Sequence, residues 1–159
     1  MHTLRTLTPD EFPLLVPHGR AFFEEYRGFL DTDRFDDVRF LESMQSMAQW
    51  CGLTVFGLWD EERFIGGLAA YIQPDLFSTE TVSRDVFVYI EPQSRGGMNI
   101  RRLLNAYHMW AREKGCRHAY MVHLLSGPLQ QKFEKVYRSY GYEPMETAYR
   151  IDLESLCPF

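Results

Sequence analysis

The feature that most constrains the fold is an apolar run that ends in a glycine turn and opens a helix. Residues 82–90 become almost continuously apolar, as in a strand buried on both faces of a sheet. The run stops at Glu91-Pro92, Gly96-Gly97 follow, and residues 98–115 carry apolar residues at helical spacing. Unpaired N–H groups and the helix dipole at such a point bind anions, phosphate above all. A plain strand-to-helix turn with solvated arginines is the alternative.

The rest of the chain alternates between helical and strand periods. Thr8 and Glu11 form a capping box around Pro9, and Pro13 and Pro17 predict a bend or break in the helix that follows.

We expect a mixed α/β (α+β) fold, in which a mostly antiparallel central sheet flanked by helices turns parallel at the crossover helix. No repeat or linker divides the chain, so residues 1–159 are predicted to form a single domain. In chain order β-α-α-β-β-β-α-β-α-β, the predicted elements are a strand from residue 3, helices over 9–26 and 36–51, strands over 53–59, 64–72 and 82–90, a helix over 98–115, a strand over 118–125, a helix over 128–140 and a strand over 147–153.

Composition excludes several functional classes. The 17 Lys and Arg residues against 22 Asp and Glu give a net charge of -5, which argues against nucleic-acid binding. Cys51, Cys116 and Cys157 form no Cys-x-x-Cys pair, and His118 and His123 would face opposite sides of one strand, so neither a disulfide framework nor a metal site is predicted. Without a membrane-spanning run or a basic leader, the sequence favours a cytoplasmic protein with no membrane partner.

Two segments carry a resemblance to a known family. Val86–Gly97, followed by Leu103-Leu104, resembles the acetyl-CoA-binding motif of the GNAT superfamily of N-acetyltransferases. Phe133–Tyr142 looks like the fourth helix of that family, whose usual form is Leu/Phe-Tyr-x-x-x-Gly-Phe. The element order resembles this fold over nearly the whole chain. The resemblance implies an N-acetyltransferase that moves an acetyl group from acetyl-CoA to a primary amine of a small molecule, peptide or protein, by direct attack in a ternary complex.

The resemblance also implies where acetyl-CoA binds. The pyrophosphate would lie on the glycine turn and the pantetheine between strands 82–90 and 118–124, with a backbone N–H of the central strand polarising the acetyl carbonyl. The family's phosphate loop reads Arg/Gln-x-x-Gly-x-Gly/Ala, and this chain departs from it in either alignment. Starting the motif at Arg95 puts Met98 and Ile100 at the glycine places, and starting it at Gln93 puts Gly96 and Met98 there. The implied acetyl-CoA-binding residues are Val88, Tyr89, Ile90, Arg95, Gly96, Gly97, Met98, Asn99, Ile100, Arg101 and Gln130.

Catalysis needs a general acid for the leaving thiolate and a base for the amine. By resemblance, Tyr137 matches the tyrosine of the fourth helix that protonates the CoA sulfur; a core tyrosine on the stripe with Phe133 is the alternative. Asp85 is ranked first as the general base because it lies on the central strand. The other candidate bases are Glu80, Glu24, Glu25 and His123, and each has a solvated or structural role as its alternative.

The acceptor is indicated by charge alone. Acidic residues surround the connection between the first two helices, which in this family forms one wall of the acceptor site, and a negative rim would gather a cationic amine. Arg27, Arg34 and Arg84 would instead favour an acceptor that carries a carboxylate. The acidic residues are Glu24, Glu25, Asp31, Asp33, Asp36 and Asp37.

Two other functions remain open at this level. One is a non-catalytic GNAT-fold module that binds a protein partner or senses acyl-CoA; the other is an unrelated α/β domain that binds a different phosphorylated ligand. The family often pairs through C-terminal strands, and the apolar tail Ser155–Phe159 fits a possible homodimer.

Overall fold

The computed structural model describes residues 1–30, 32, 34–125 and 127–153. The chain divides into two compact units, Met1–Pro128 and Leu129–Phe159, and each is described by itself. Short 3-10 segments precede the first and third α-helices. Over the described residues the elements are β1 (His2–Thr6), α1 (Leu15–Glu25), α2 (Asp37–Trp50), β2 (Thr54–Asp60), β3 (Arg63–Pro74), β4 (Thr81–Ile90), α3 (Gly97–Glu113), β5 (Cys116–Tyr120) and α4 (Gln130–Ser139).

The first unit is built on one five-stranded sheet in the order β1-β2-β3-β4-β5. Neighbouring strands from β1 to β4 are antiparallel, and β5 is parallel to β4 because α3 carries the chain back across the sheet. The predicted class, a mostly antiparallel sheet that turns parallel at the crossover helix, is confirmed.

Helices cover both faces of this sheet. The larger core lies between the sheet and the pair α1 and α2, where Leu15, Met44, Val55 and Phe87 are buried together. Residues next to these along the strands face the other way. On that side Tyr107 of α3 is fully buried, with its ring 6.4 Å from that of Phe56. The sheet is therefore covered by α1 and α2 on one face and by α3 on the other.

The predicted start signals of the first two helices are confirmed. The N–H of Thr8 donates to the Glu11 carboxylate at 2.9 Å, at the start of a 3-10 segment over Pro9–Leu14 that contains Pro13. The helix predicted from residue 9 is thus divided as Pro13 predicted, whereas Pro17 lies in the first turn of α1 and does not break it. Asp36 caps α2 by accepting the N–H of Arg39 at 2.9 Å. These short polar contacts mark the start of the 3-10 segment before α1 and the start of α2.

β4 changes its surroundings half-way along its length. Ala70 of β3 is opposite Asp85 and Ala69 is opposite Phe87, so Val86 is the extra residue of a β-bulge. On its other side, β4 pairs with β5 only from Thr81 to Arg84. Beyond the bulge β4 therefore has a neighbouring strand on one side only, among the described residues.

Two predicted strands differ from the structure. The strand predicted over 118–125 lies at Cys116–Tyr120, because the N–H of Val122 donates to the side chain of Asp85 at 3.0 Å and leaves the ladder. The last strand, predicted over 147–153, is not formed. Its alternating side chains find no surface to cover: Tyr149 is 94% exposed and Ile151 62% exposed.

Candidate functional site

The turn between β4 and α3 offers an open backbone. Gly96 is the N-cap residue of α3, with extended φ and ψ of -146° and 156°, and no side chain of the described residues caps it. A Cβ on Gly96 or Gly97 would meet no atom within 4 Å. The space around the first residues of this 17-residue helix is therefore open, which an anion site at the helix start requires.

Asn99 anchors this turn from beneath. Its side chain is 5% exposed and donates to the carbonyl of Ser94 at 2.9 Å, while its backbone N–H donates to Gly96 at 3.1 Å. The same amide bonds to the ring of His2 on β1. The side chain of Asn99, predicted to touch the cofactor, is thus buried below the turn and holds its shape.

A pocket of about 360 Å³ opens beside the turn, on the side of β1. The guanidinium of Arg102 donates to the carbonyl of His2 at 3.2 Å across its floor. The walls come from the start of α3 and the edge of the sheet, and include His2, Asp60, Gly96, Met98, Asn99 and Arg102.

Arg95 points away from the open side of the turn. Its Nη1 donates to Glu25 Oε1 at 2.7 Å, its Nη2 bonds to the other carboxylate oxygen, and its Nε donates to the carbonyl of Ile90 at 2.7 Å. The guanidinium also lies over the ring of Tyr89, 5.3 Å from the centroid. The sequence predicted a phosphate contact here, and the structure places an ion pair with α1.

The other predicted residues of the turn differ in exposure. Met98, at a glycine place of the family motif, is 67% exposed, so its side chain does not enter the core. Ile100 is half-buried, and Arg101 is exposed on the first turn of α3.

The second half of β4 presents backbone groups at an open edge. The carbonyl of Tyr89 faces β3, because a Cβ on Gly66 would lie 2.3 Å from that oxygen. Adjacent residues of a strand point their N–H and C=O groups to opposite edges. Val88 and Ile90 therefore point their N–H and C=O groups away from β3, to the edge where β4 has no neighbouring strand among the described residues. The Ile90 carbonyl on that edge accepts a hydrogen bond from Arg95. Of the predicted group Val88 to Ile90, Val88 is therefore the candidate whose backbone N–H would polarise the acetyl carbonyl.

Asp85 lies where β4 and β5 separate. Its side chain is half-buried and accepts the N–H of Val122 from beyond β5. Burial raises the pKa of this carboxyl to about 7, against the lowering effect of the Val122 N–H and Arg84. A carboxylate with a pKa near neutrality, at a gap between strands, has the properties of a general base.

The remaining acidic candidates of the first unit have contacts of their own. Glu25 holds Arg95, Glu24 accepts Arg27, and Asp37 accepts Arg20. The contact with Arg27 lowers the pKa of Glu24. Partners of the opposite sign thus reduce the negative field of the predicted rim, while Asp31 and Asp33 lie outside the described residues.

The second unit carries the predicted general acid on α4. The ring of Tyr137 lies 5.7 Å from that of Phe133 and 5.5 Å from that of Tyr142. Gln130 begins the helix and donates to Glu134 at 2.9 Å. These contacts place Tyr137 on the aromatic stripe that the sequence predicted.

Sequence reasoning missed the pairing of Glu25 with Arg95. The two residues are 70 positions apart, so helix spacing and strand alternation give no sign of the contact. Nor did it find that Ser83 and Tyr107 share a hydrogen bond of 2.9 Å in the interior. Among the described residues no group of three His, Cys, Asp or Glu side chains could hold a metal ion, and no helix is long and apolar enough to cross a membrane.

The match to a family model identifies the family to which this fold belongs. Residues 18–142 match the sequence model of the Acetyltransferase (GNAT) family. The chain belongs to the GNAT family. It is an acyltransferase by this membership, and the resemblance drawn from the two motifs is confirmed. No curated protein matches the sequence.

Solved structures of acetyltransferases share the fold. A predicted acetyltransferase from Clostridium acetobutylicum, solved with acetyl-CoA, is 18% identical and superposes with a TM-score of 0.76, covering 98% of this chain and 99% of its own. An aminoglycoside acetyltransferase from an uncultured soil metagenomic sample is 17% identical, with a TM-score of 0.74 and 96% of both chains covered. The ribosomal-protein-alanine N-acetyltransferase of Brucella melitensis biovar Abortus 2308 is 12% identical, with a TM-score of 0.75, covering 96% of this chain and 99% of its own.

Proposed function

We propose that this GNAT protein is an acetyl-CoA-dependent N-acetyltransferase that acts on a primary amine by direct attack in a ternary complex. The observation that carries the proposal is the succession of two open backbone surfaces. The free edge of β4 is followed, after residues 91–95, by the open start of α3 at Gly96 and Gly97. One surface suits the amides of an extended pantetheine arm, and the other suits a pyrophosphate.

The donor would be held mainly by backbone groups. The N–H groups at the start of α3 would receive the pyrophosphate, with Arg101 adding positive charge on the same helical turn. Val88 would donate its N–H to the acetyl carbonyl oxygen and stabilise the negative charge that develops there during attack. Met98, exposed at the turn, would border the donor without closing the glycine surface.

Proton transfer is assigned to Asp85 and Tyr137. The Asp85 carboxylate would take a proton from the incoming ammonium, so that the neutral amine can attack the thioester carbon. Collapse of the tetrahedral intermediate breaks the C–S bond, and Tyr137 would donate its phenolic proton to the leaving thiolate. The new amide nitrogen would give up its second proton to restore the phenol, and Asp85 would release the first proton to solvent. The assignment of Asp85 is supported by its raised pKa and its place at the strand opening. The assignment of Tyr137 follows the family motif.

Both units would form one acetyltransferase domain. The family match runs from residue 18 to residue 142 and so crosses the boundary between the units at residue 128. The homodimer and the cytoplasmic location stay predictions from the sequence.

A thiol-release assay tests the proposed reaction. Purified protein is incubated with acetyl-CoA and a panel of primary amines, and free CoA thiol is measured at varied concentrations of both substrates. The panel includes aminoglycosides and a peptide with an N-terminal alanine, since acetyltransferases of similar fold are named for such acceptors. We expect intersecting lines in double-reciprocal plots with at least one amine. A ping-pong pattern would contradict direct attack, and binding of acetyl-CoA without transfer to any amine would favour the non-catalytic, acyl-CoA-sensing alternative.

A further inference from the structure

The end of α1 touches both sides of the gap between β4 and β5. On the β4 side, Glu25 holds Arg95 of the phosphate turn through two hydrogen bonds. On the β5 side, the ring of the next residue, Tyr26, packs against the chain that follows β5. A Cβ on Gly127 would lie 3.0 Å from Tyr26 Cε1, so the Tyr26 ring packs closely against the backbone at Gly127. Tyr26 is 5% exposed. The end of α1 therefore forms a roof over one face of the gap.

The contact between Arg95 and Glu25 is built more firmly than the neighbouring surface ion pair. The side chains of Arg95 and Glu25 are 26% and 20% exposed. Those of the neighbouring pair, Arg27 and Glu24, are 55% and 53% exposed. The Nε of Arg95 also donates a hydrogen bond to the carbonyl of Ile90, and the guanidinium lies over the ring of Tyr89. A planar guanidinium with two parallel bonds to a carboxylate fixes direction as well as distance.

From this geometry we infer that Arg95 is a positioning residue, which with Glu25 holds the end of α1 as the roof of the β4–β5 gap, and is not a ligand of the donor's phosphates. The inference rests on the proposed acetyl transfer, because the gap is where the thioester and the amine would meet. When the pair is intact, the phosphate turn and the roof move as one body. Loss of either side chain lets Tyr26 move away from Gly127, so bound substrates lose their alignment while the backbone site for the pyrophosphate remains.

The two roles of Arg95 predict opposite patterns for its partner. A positioning pair predicts that Glu25→Gln and Arg95→Gln have the same effect and that the double variant is no worse than either, since all three lose one contact. A phosphate ligand predicts that Arg95→Gln alone weakens binding. Under that role Glu25→Gln would leave acetyl-CoA binding unchanged or tighten it, because it frees the guanidinium for the phosphates.

The experiment compares these three variants and a matched control, Glu24→Gln, which breaks the exposed pair with Arg27. Calorimetry gives the Kd for acetyl-CoA, thiol release gives kcat and the acceptor KM, and hydrogen exchange followed by mass spectrometry reports on amides 20–30. We expect kcat to fall by about tenfold or more in the single and double variants, with a Kd within about threefold of wild type. Amides 20–30 should exchange faster in these variants and as in wild type in Glu24→Gln.

Other outcomes would contradict either the positioning role of Arg95 or the proposed acetyl transfer. A Kd raised about tenfold by Arg95→Gln and not by Glu25→Gln would overturn the inference in favour of a phosphate ligand. Unchanged exchange of amides 20–30 in both single variants would overturn it as well, because the roof would not depend on the pair. If wild-type protein transfers no acetyl group but exchange still rises in both variants, the proposed reaction fails while the positioning of α1 by Arg95 stands.

Discussion

The two halves of β4 differ in sequence and in surroundings, since residues 81–84 are mostly polar and residues 86–90 are apolar or aromatic. From Thr81 to Arg84 the strand pairs with β3 on one side and β5 on the other, and the fully buried Ser83 shares a hydrogen bond with Tyr107. Past the bulge at Val86 it pairs with β3 alone and continues into the phosphate turn. The closed half pairs its backbone with strands on both sides, whereas the open half has no neighbouring strand on one side among the described residues. Asp85 stands at the boundary.

The difference shows how one strand can serve stability and chemistry together. In the closed half, burial raises the pKa of the Tyr107 hydroxyl, which bonds to Ser83 and to the carbonyl of Tyr120. Such a hydroxyl stays protonated and acts as a structural group. At the boundary, burial raises the pKa of Asp85 to about 7, where a carboxyl exchanges its proton readily near neutrality. We therefore expect substitutions in the two halves to separate activity from stability.

The largest effect is expected for Asp85→Asn. An asparagine keeps the size of the side chain and can still accept the N–H of Val122, but it cannot take a proton. We expect kcat/KM for the acceptor to fall by about a hundredfold or more, as for the loss of a general base. In wild-type protein the same parameter should rise with pH through an apparent pKa of about 7, and this limb should disappear in the variant. A pH profile that keeps the limb would remove Asp85 from the base role.

The next largest effect is expected for Tyr137→Phe, which tests the proposed role of Tyr137 as the general acid. Loss of the phenolic proton should lower kcat by some tens-fold, within the range for a general acid, while the Kd for acetyl-CoA stays nearly the same. The measurement is steady-state thiol release beside calorimetric titration. Unchanged turnover would show that Tyr137 serves only to pack against Phe133 and Tyr142.

Asp85 should also leave a mark on stability. The folded carboxyl keeps its proton to about pH 7, whereas an unfolded aspartate titrates at about 3.9. Between these values the folded state binds more protons, so the free energy of unfolding should fall as the pH rises from about 4 to about 7. Urea unfolding of wild type and Asp85→Asn across this window should show a difference that grows with pH in favour of the variant. A constant difference would mean that Asp85 ionises normally.

The smallest effect on activity is expected in the closed half. Ser83→Ala removes one partner of the Tyr107 hydroxyl, which keeps its bond to the carbonyl of Tyr120. We expect the free energy of unfolding to fall by about 1 kcal/mol, with kcat/KM unchanged. Urea unfolding and the thiol-release assay measure the two quantities. A loss of activity as large as that of Asp85→Asn would erase the distinction between the two halves.

Sequence patterns predicted most of the fold because local signals mark its boundaries. The Thr8 and Glu11 box marks the start of the 3-10 segment before α1, and the Asp36 cap marks the start of α2. Gly115 and Gly141, with φ of 75° and 85°, follow the ends of α3 and α4. The length of β5 could not be predicted, because it ends where a side chain distant in sequence, Asp85, captures the N–H of Val122.

The candidate site was predictable in its backbone and less so in its side chains. A glycine pair after an apolar strand is a local signal, and it located the open start of α3. The partners of Arg95 and Asn99 come from α1 and β1, 70 and 97 residues away, and no local pattern reports contacts at that distance. The raised pKa of Asp85 likewise depends on burial by the folded chain.

The most direct test of the account is a calorimetric titration of the protein with acetyl-CoA, because every proposed step depends on a pyrophosphate bound at Gly96 and Gly97. The variant Gly97→Glu places a negative side chain on this surface, and Gly97→Ala is its matched control, since a Cβ there meets no atom within 4 Å. The account predicts binding by wild type and Gly97→Ala with a Kd of order 1–100 µM, and no measurable binding by Gly97→Glu. Equal binding by all three proteins, or none by wild type, would contradict it.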